Sequence, residues 1–519
     1  MAVTHREAAT LRRAGPAAQP AGVDLSFSGL KTGLLLYLIA AMPPISFGFA
    51  GIELGPTRTV LLFLVPLLMA QLFAGRFGRL RTPDFLLLGF WMWQGISIFH
   101  WHGSQAIQYV GSVGVEMIGG YLVGRAYVRS VADYERMMRF YGLMVLVTVP
   151  FALYESITGD RLVSRLFDML PGVSSGGGGT SEKRLGLFRA QVNFSHPIHY
   201  GIFCAMGFTS SFLLLGPYMS RGWQYLRAGL IGFGSFLSLS SGGFLVFLIQ
   251  AGLLGWRWMM RGTGRPWLIF GILFAAFYGT IEVLSDRSAF KVILTMATFS
   301  SYNAYWRILI FEYGMQNVWQ HPVLGIGLND WERPTWMYSG SLDNYFLFVA
   351  MVYGIPAFLL LATAFLKVLY QAMAMKISGS NSRLLRARAT WVLSMVALIL
   401  SLCTVHVWGK VYSLVFFIFG SGIWLLDEKD RNRADGPGDG GETLPAAQAP
   451  TARRGQAYSR KQATAKAAVQ SSTEPDRPLP SRRTGQAYSR KQATAKAEVQ
   501  STTEPDRPLP SRRTGQGRC

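Results

Sequence analysis

The chain has 519 residues, half of them hydrophobic, a mean hydropathy of +0.25 and only 15% charged residues. A soluble chain carries roughly 25% charged residues, so a string of water-soluble domains is excluded in favour of a helix bundle in lipid. The net charge of +22 does not mark a nucleic-acid binder, because Lys and Arg fall between apolar runs or in a low-complexity tail rather than along one soluble face.

Residues 1–31 are a polar segment without the small-residue cleavage site of a secretory signal. It is expected to stay cytoplasmic while the first apolar run acts as the insertion signal. Apolar runs long enough for membrane helices then follow at about 32–50, 59–75, 84–100, 107–124, 140–157, 198–217, 228–241, 243–256, 267–284, 343–365, 389–406 and 411–426. The expectation is an all-α, polytopic membrane bundle of about twelve transmembrane helices over residues 32–426. Among their polar residues Glu116 stands out, since a carboxylate inside a span is expensive and by default a functional candidate. It either lines a cavity or bonds across the Gly-rich helix around Gly111, Gly114, Gly119 and Gly120.

Basic residues set the orientation. Arg6, Arg12 and Arg13, then Arg76, Arg79 and Arg81, then Arg125, Arg129, Arg136 and Arg139 occupy alternate connections. Arg221 and Arg227, Arg257, Arg261 and Arg265, and Lys367, Lys376, Arg383, Arg386 and Arg388 continue the series. The positive-inside rule places these connections and both termini in the cytoplasm. Two long loops, about 159–197 and 285–342, then lie on the outer, periplasmic side. Both carry Arg, which short outer loops such as Trp101–Ala106 lack.

The first outer loop holds the glycines Gly176 to Gly179, expected to be a hinge, and then Lys183-Arg184-Leu185-Gly186-Leu187-Phe188-Arg189-Ala190-Gln191-Val192-Asn193-Phe194-Ser195-His196-Pro197-Ile198-His199-Tyr200-Gly201. The planar, permanently charged guanidinium suits phosphate, and at an outer membrane face the obvious phosphate belongs to a lipid-linked pyrophosphate. The second loop contains Tyr305-Trp306-Arg307, an amphipathic stretch from Trp306 to Trp319, and His321-Pro322-Val323-Leu324-Gly325-Ile326-Gly327-Leu328-Asn329-Asp330-Trp331-Glu332-Arg333-Pro334. Its Gly-x-Gly pair reads as a tight turn rather than a phosphate cradle. Asp343-Asn344 stands at the next membrane entry, where Asp343 is either a general base for a hydroxyl or the cap of the following helix. His196 and His321 could donate hydrogen bonds or help activate an acceptor; each precedes Pro, which also suits a turn.

From residue 427 the composition changes. A block of roughly thirty residues begins at Gly455 and again at Gly485, rich in Pro, Ser, Thr, Arg and Lys. It has too few large apolar residues to offset its ordering entropy, so a disordered cytoplasmic tail is expected, with contact to anionic lipid as its alternative role.

The string His321 to Gly327, with Arg307 before it and Asp343-Asn344 after it, resembles the O-antigen ligase and Wzy-type polymerase superfamily. The stretch Arg184 to Gly201 and the string Asn329 to Pro334 are similar to its exopolysaccharide-associated branch. Leu237-Ser238-Leu239-Ser240-Ser241-Gly242-Gly243 is similar to that family's small-residue turn, with Ser241 where Arg is usual. Ligases of the family carry His-Asn where this chain has Asp343-Asn344, with Gly354 at the family's spacing, which leans toward a polymerase. The resemblance implies a GT-C-type glycosyltransferase of the bacterial inner membrane that polymerises undecaprenyl-pyrophosphate-linked repeat units. It implies no metal, no cofactor and no nucleotide sugar. Arg189 and Arg307 are the first candidates for the pyrophosphate, Arg184 and Arg333 the second, with Asp343, His196 and His321 as catalytic candidates. Partners would be the lipid-linked glycan, membrane lipids and other polysaccharide-export proteins. A ligase transferring glycan to lipid A-core is the alternative within this class. A secondary transporter or lipid-linked glycan flippase is the alternative outside it.

Overall fold

A computed structural model describes residues 27–49, 52–170, 175, 182–285, 288–289, 292, 301–377 and 381–434. The N-terminal segment before residue 27, the glycine hinge at 176–179 and the expected tail from residue 435 on lie outside these residues; the first residues assigned to that tail, 427–434, are instead helical, the end of the helix Trp424–Ala434 whose Asp427 and Asp430 pair with Arg81. All the described residues belong to one compact unit, Met1–Asp439.

The fold is all-α, apart from two small hairpins, Phe47–Phe49 with Ile52–Leu54 and Lys183–Arg184 with Leu187–Phe188. In chain order the helices are α1 (Thr32–Ala40), α2 (Pro56–Phe73), α3 (Thr82–His102), α4 (Ala106–Tyr127), α5 (Val131–Thr158) and α6 (Leu162–Asp168). They continue with α7 (Pro197–Met206), α8 (Arg221–Leu237), α9 (Ser241–Met259), α10 (Pro266–Leu284) and α11 (Ser301–Gln320). The last are α12 (Tyr345–Tyr353), α13 (Ile355–Met373), α14 (Ser382–Leu402), α15 (Gly409–Gly420) and α16 (Trp424–Ala434).

Eight of the described helical stretches are long and apolar enough to cross a membrane: Pro56–Phe73, Val131–Thr158, Pro197–Leu214, Ser241–Met259, Pro266–Leu284, Ile355–Met373, Ser382–Leu402 and Gly409–Asp430. Their surfaces agree with a bilayer. No residue of α10 is buried, and Leu268, Ile272, Phe274, Phe277 and Val283 all stand exposed on it. Water would not tolerate so large a continuous apolar surface on a monomer. A multi-pass membrane protein fits this architecture.

Several expected spans differ in detail. The run at 32–50 is helical only to Ala40, because Pro43 and Pro44 follow and cannot continue a helix, and the Phe47–Leu54 hairpin comes next. The run at 343–365 is two helices, broken at Gly354 with φ of 89° and followed by Pro356. The run at 228–241 is the 17-residue α8, which starts at Arg221 and ends at Leu237. Helices α3 and α4 have 21 and 22 residues, long enough at about 1.5 Å per residue to span. Their Gln, Gly, His and Asp content keeps them out of the most apolar group.

The basic connections gather at one end of the bundle. Arg81 pairs with Asp427 and Asp430, Arg125 donates to the carbonyl of Arg79, and Arg129 to that of Arg76. Glu135 takes Arg383 and the Tyr218 hydroxyl at the same end. The described parts of the two long loops, expected to be outer, sit at the opposite helix ends. The centre is built by close backbone approach. A Cβ on Gly120 would stand 2.2 Å from the Ser413 carbonyl oxygen, and one on Gly124 2.4 Å from that of Phe417. Glycines four apart on α4 therefore let α15 lie against it, which is how membrane helices gain packing energy without a hydrophobic drive between them.

Candidate functional site

The first outer loop is fastened from below. The Glu155 carboxylate, at the end of α5, accepts the backbone N–H groups of Gln191 (3.2 Å) and Val192 (2.8 Å). The Lys410 ammonium, at the start of α15, donates to the carbonyls of Asn193 and Pro43 and lies 4.8 Å from the Phe194 ring. Arg161 donates to the Phe194 carbonyl. So held, Val192 adopts φ of 51° and, in the facing α8–α9 turn, Leu239 of 43°; Leu185 takes φ of 53° in the exposed two-residue turn of the Lys183–Phe188 hairpin, which requires it. Branched and bulky side chains resist this region, and such strain persists only where the surroundings impose it, typically around functional sites.

The fastening gathers the loop's charged groups. Arg184 reaches the Leu239 carbonyl at 3.3 Å. Its charge bears on both Arg189 and Arg307, which come from loops more than a hundred residues apart in sequence. Burial, with Arg184 beside it, lowers the Arg189 guanidinium to about 10. Burial also lowers Arg307, offset in part by Asp343. The Arg307 Nε lies 3.8 Å from the Asp343 Oδ2. Among the described residues no hydrogen bond satisfies the buried Nε of Arg189 or of Arg307. A buried donor without a partner costs about 1–3 kcal/mol, more when charged. A like-charged cluster with donors to spare can hold an anion.

His196 caps α7, its Nδ1 accepting the Ile198 N–H at 3.2 Å. Burial, then Arg189 and Arg184, push it down to about 4, so the ring is neutral near pH 7. With Nδ1 accepting, the proton is assigned to Nε2, and His196 can donate from there.

The cap of α12 is Asn344, whose side chain accepts the Leu347 N–H at 3.0 Å. That leaves Asp343 without the capping role and beside Arg307.

Two sequence candidates lie apart from this cluster. His321 follows the last residue of α11, and its ring meets Trp101 edge-on at 5.8 Å. Its loop docks on other helices. The N–H groups of Ile326 and Gly327 bond the Met351 and Val352 carbonyls at 2.9 and 3.0 Å, and Ser97 bonds the Leu324 carbonyl at 2.6 Å. Gly325 and Gly327 take φ of 63° and 65°, the tight turn expected of them. Arg333 closes its own loop, pairing with Asp330 and donating to the Met337 carbonyl at 2.9 Å. Among the described residues no hydrogen bond or ion pair joins His321 or Arg333 to Arg184, Arg189 or Arg307.

Groups that the sequence did not single out complete the surroundings: Glu155, Arg161, Lys410, His406 and Trp408. The Trp408 ring lies 4.1 Å from His199 and 5.7 Å from His196. Glu116 is paired with Arg58, the Arg58 Nη2 standing 2.8 Å from its Oε1. The signal available for Lys410 was its position, a lone cation at the head of an apolar run.

Neither a known protein family nor a curated protein matches this chain.

Proposed function

We propose that the chain is a membrane glycosyltransferase that polymerises undecaprenyl-pyrophosphate-linked repeat units in exopolysaccharide or O-antigen synthesis. The observation that carries this reading is the convergence of Arg184, Arg189 and Arg307 from two outer loops, with the buried Nε of Arg189 and of Arg307 lacking a hydrogen bond among the described residues and Asp343 beside Arg307. The bundle would sit in the bacterial inner membrane with about twelve crossings and both termini in the cytoplasm. In that arrangement α3, α4 and α8 add crossings to the eight most apolar stretches, and the nine-residue α1, too short to cross as a helix by itself, makes the first crossing together with the extended chain after it.

The chemistry follows from the charges. Asp343 takes the proton of an acceptor hydroxyl, whose oxygen attacks the anomeric carbon of the donor. The bond from that carbon to the pyrophosphate oxygen breaks, and undecaprenyl pyrophosphate leaves with the bonding pair. Arg189, Arg307 and Arg184 hold the negative charge that develops there, and His196 donates from Nε2. Preorganised cations at a leaving group are usually the largest single catalytic contribution.

An apolar groove of about 550 Å³ supports the lipid part of the reading. Phe311, Phe346, Phe365 and Ile399 line it, together with Asn344, next to Asp343. An isoprenoid tail in this groove would leave its headgroup at the arginines.

The test uses full-length protein in nanodiscs with the undecaprenyl-pyrophosphate repeat unit of its own source. Longer glycans and released undecaprenyl pyrophosphate are expected from this donor alone. Turnover only after lipid A-core is added would replace the polymerase by a ligase. Passage of intact donor across proteoliposomes, with no turnover under any condition, would replace the enzyme by a transporter.

A further inference from the structure

A cavity of about 610 Å³ lies between α4, α12 and α15, within the roughly 300–1,000 Å³ range of small-molecule sites. It adjoins the arginine cluster. Trp408, in contact with His196 and His199, lines it, and Tyr345, two residues after Asp343, forms part of its wall.

Its lining is aromatic with a polar rim. Tyr109, Tyr345, Tyr353 and Tyr412 contribute rings and hydroxyls, the Tyr109 and Tyr353 oxygens 2.8 Å apart and those of Tyr345 and Tyr412 3.4 Å apart. Gln108, Ser112 and Glu116 follow one another along a single face of α4, and Gln105 stands just before its first turn. The buried Nδ1 of His406, another lining residue, has no hydrogen-bond partner among the described residues. The lining's charged side chains, Arg58 and Glu116, pair with each other at 2.8 Å, so they contribute no net charge.

This combination selects against other ligands. An isoprenoid chain would cover Gln105, Ser112 and the buried His406 Nδ1 without offering them a hydrogen bond, at a cost of roughly 1–3 kcal/mol for each group. A phosphate would meet Glu116 and an arginine already engaged. A pyranose offers an apolar C–H face for the rings and a belt of hydroxyls for the amides, the amphipathic match that Tyr and Trp suit.

We propose that this cavity is the acceptor-saccharide site, taking uncharged sugar residues and presenting their terminal hydroxyl beside Asp343. The proposal rests on the glycosyl-transfer reading above. Trp408 at the mouth and the four tyrosines within bind and position the sugar, while the arginine cluster holds the donor's pyrophosphate.

The experiment separates the two parts. The repeat-unit oligosaccharide, freed of lipid and pyrophosphate by hydrolysis, is titrated calorimetrically into the full-length protein in nanodiscs. Saturable binding is expected, at least tenfold weaker in Trp408→Ala, within twofold of wild type in Arg189→Ala, and not displaced by inorganic pyrophosphate. Where Trp408→Ala fails to fold, Tyr353→Phe and Gln108→Ala carry the same expectation in smaller steps. No binding, or binding weakened by Arg189→Ala and not by the cavity variants, overturns the proposal. Glycan extension with an unchanged acceptor KM in the cavity variants also overturns it and leaves the polymerase reading standing. Sugar binding at the cavity without any glycan extension upholds the site and removes the polymerase reading.

Discussion

Arg307 and Asp343 approach to 3.8 Å between Nε and Oδ2, with the guanidinium one-tenth exposed and the carboxylate about two-fifths exposed. Arg307 stands in the first turns of α11, inside the second outer loop, and Asp343 just past that loop's end. The buried partner is the cation, and the accessible partner is the group that could meet an acceptor hydroxyl.

Replacing Arg307 or Arg189 by Ala is expected to lower kcat by about 10²–10³, the usual effect of losing one donor to developing negative charge. Arg189→Lys restores charge but not the planar fork and recovers only part of the rate. Glycan-extension kinetics beside size-exclusion profiles check this, the profiles showing that the variants remain folded.

Asp343 and Asn344 separate chemistry from stability. Asp343→Asn is expected to lower the rate by about 10²–10⁴ with unfolding unchanged, as for a lost general base. Asn344→Ala removes the α12 cap and is expected to destabilise by about 1 kcal/mol. Parallel rate and thermal-unfolding measurements distinguish the two, and equal effects of both variants would contradict the assignment.

The fold was largely legible in the sequence where single runs decide structure. The apolar runs gave the helices, the period of Trp306 to Trp319 gave α11, and the Gly-x-Gly pair gave its turn. Arg184, Arg189, His196, Arg307 and Asp343 were legible as chemistry without a geometry, because their residue types suit phosphate wherever they meet. The division among them was not legible. Trp101 against His321 and Asp330 against Arg333 are tertiary contacts, so nothing in the local string separates these two from the residues that converge. The end of α1 was readable from Pro43 and Pro44. The tyrosine cavity was not, since its wall comes from three helices whose rings read locally as an interfacial belt.

His321→Ala and Arg333→Ala are accordingly expected to keep turnover within tenfold of wild type, in contrast to Arg307→Ala. Steady-state rates of the three variants under one set of conditions check this. A loss in His321→Ala as large as that in Arg307→Ala would return His321 to the reacting centre.

Gly354→Ala is expected to be strongly destabilising, by about 1–3 kcal/mol or more, since a non-Gly residue would be held in a forbidden backbone region. Its φ is 89°, and an added Cβ would stand 1.9 Å from the Val323 carbonyl oxygen. Loss of the docked His321–Gly327 loop, read as faster proteolysis within that loop, is the observable.

Stability is expected to fall as pH drops from about 6.5 toward 4. His196 and His406 are each pushed down to about 4, mainly by burial. Between that value and the ordinary histidine range near 6.5 the unfolded chain binds more protons, so acid favours unfolding. His196→Asn keeps a good capping side chain and removes one of these protons, so its unfolding midpoint in detergent should depend less steeply on pH across that interval.

The central claim is that two outer loops meet to hold a pyrophosphate. Its most direct test is the affinity of full-length protein in nanodiscs for undecaprenyl pyrophosphate, measured for wild type, Arg189→Ala, Arg307→Ala and Arg333→Ala. The account predicts at least tenfold weaker binding in the first two variants and binding near wild type in the third. Equal affinity in all four proteins would contradict it.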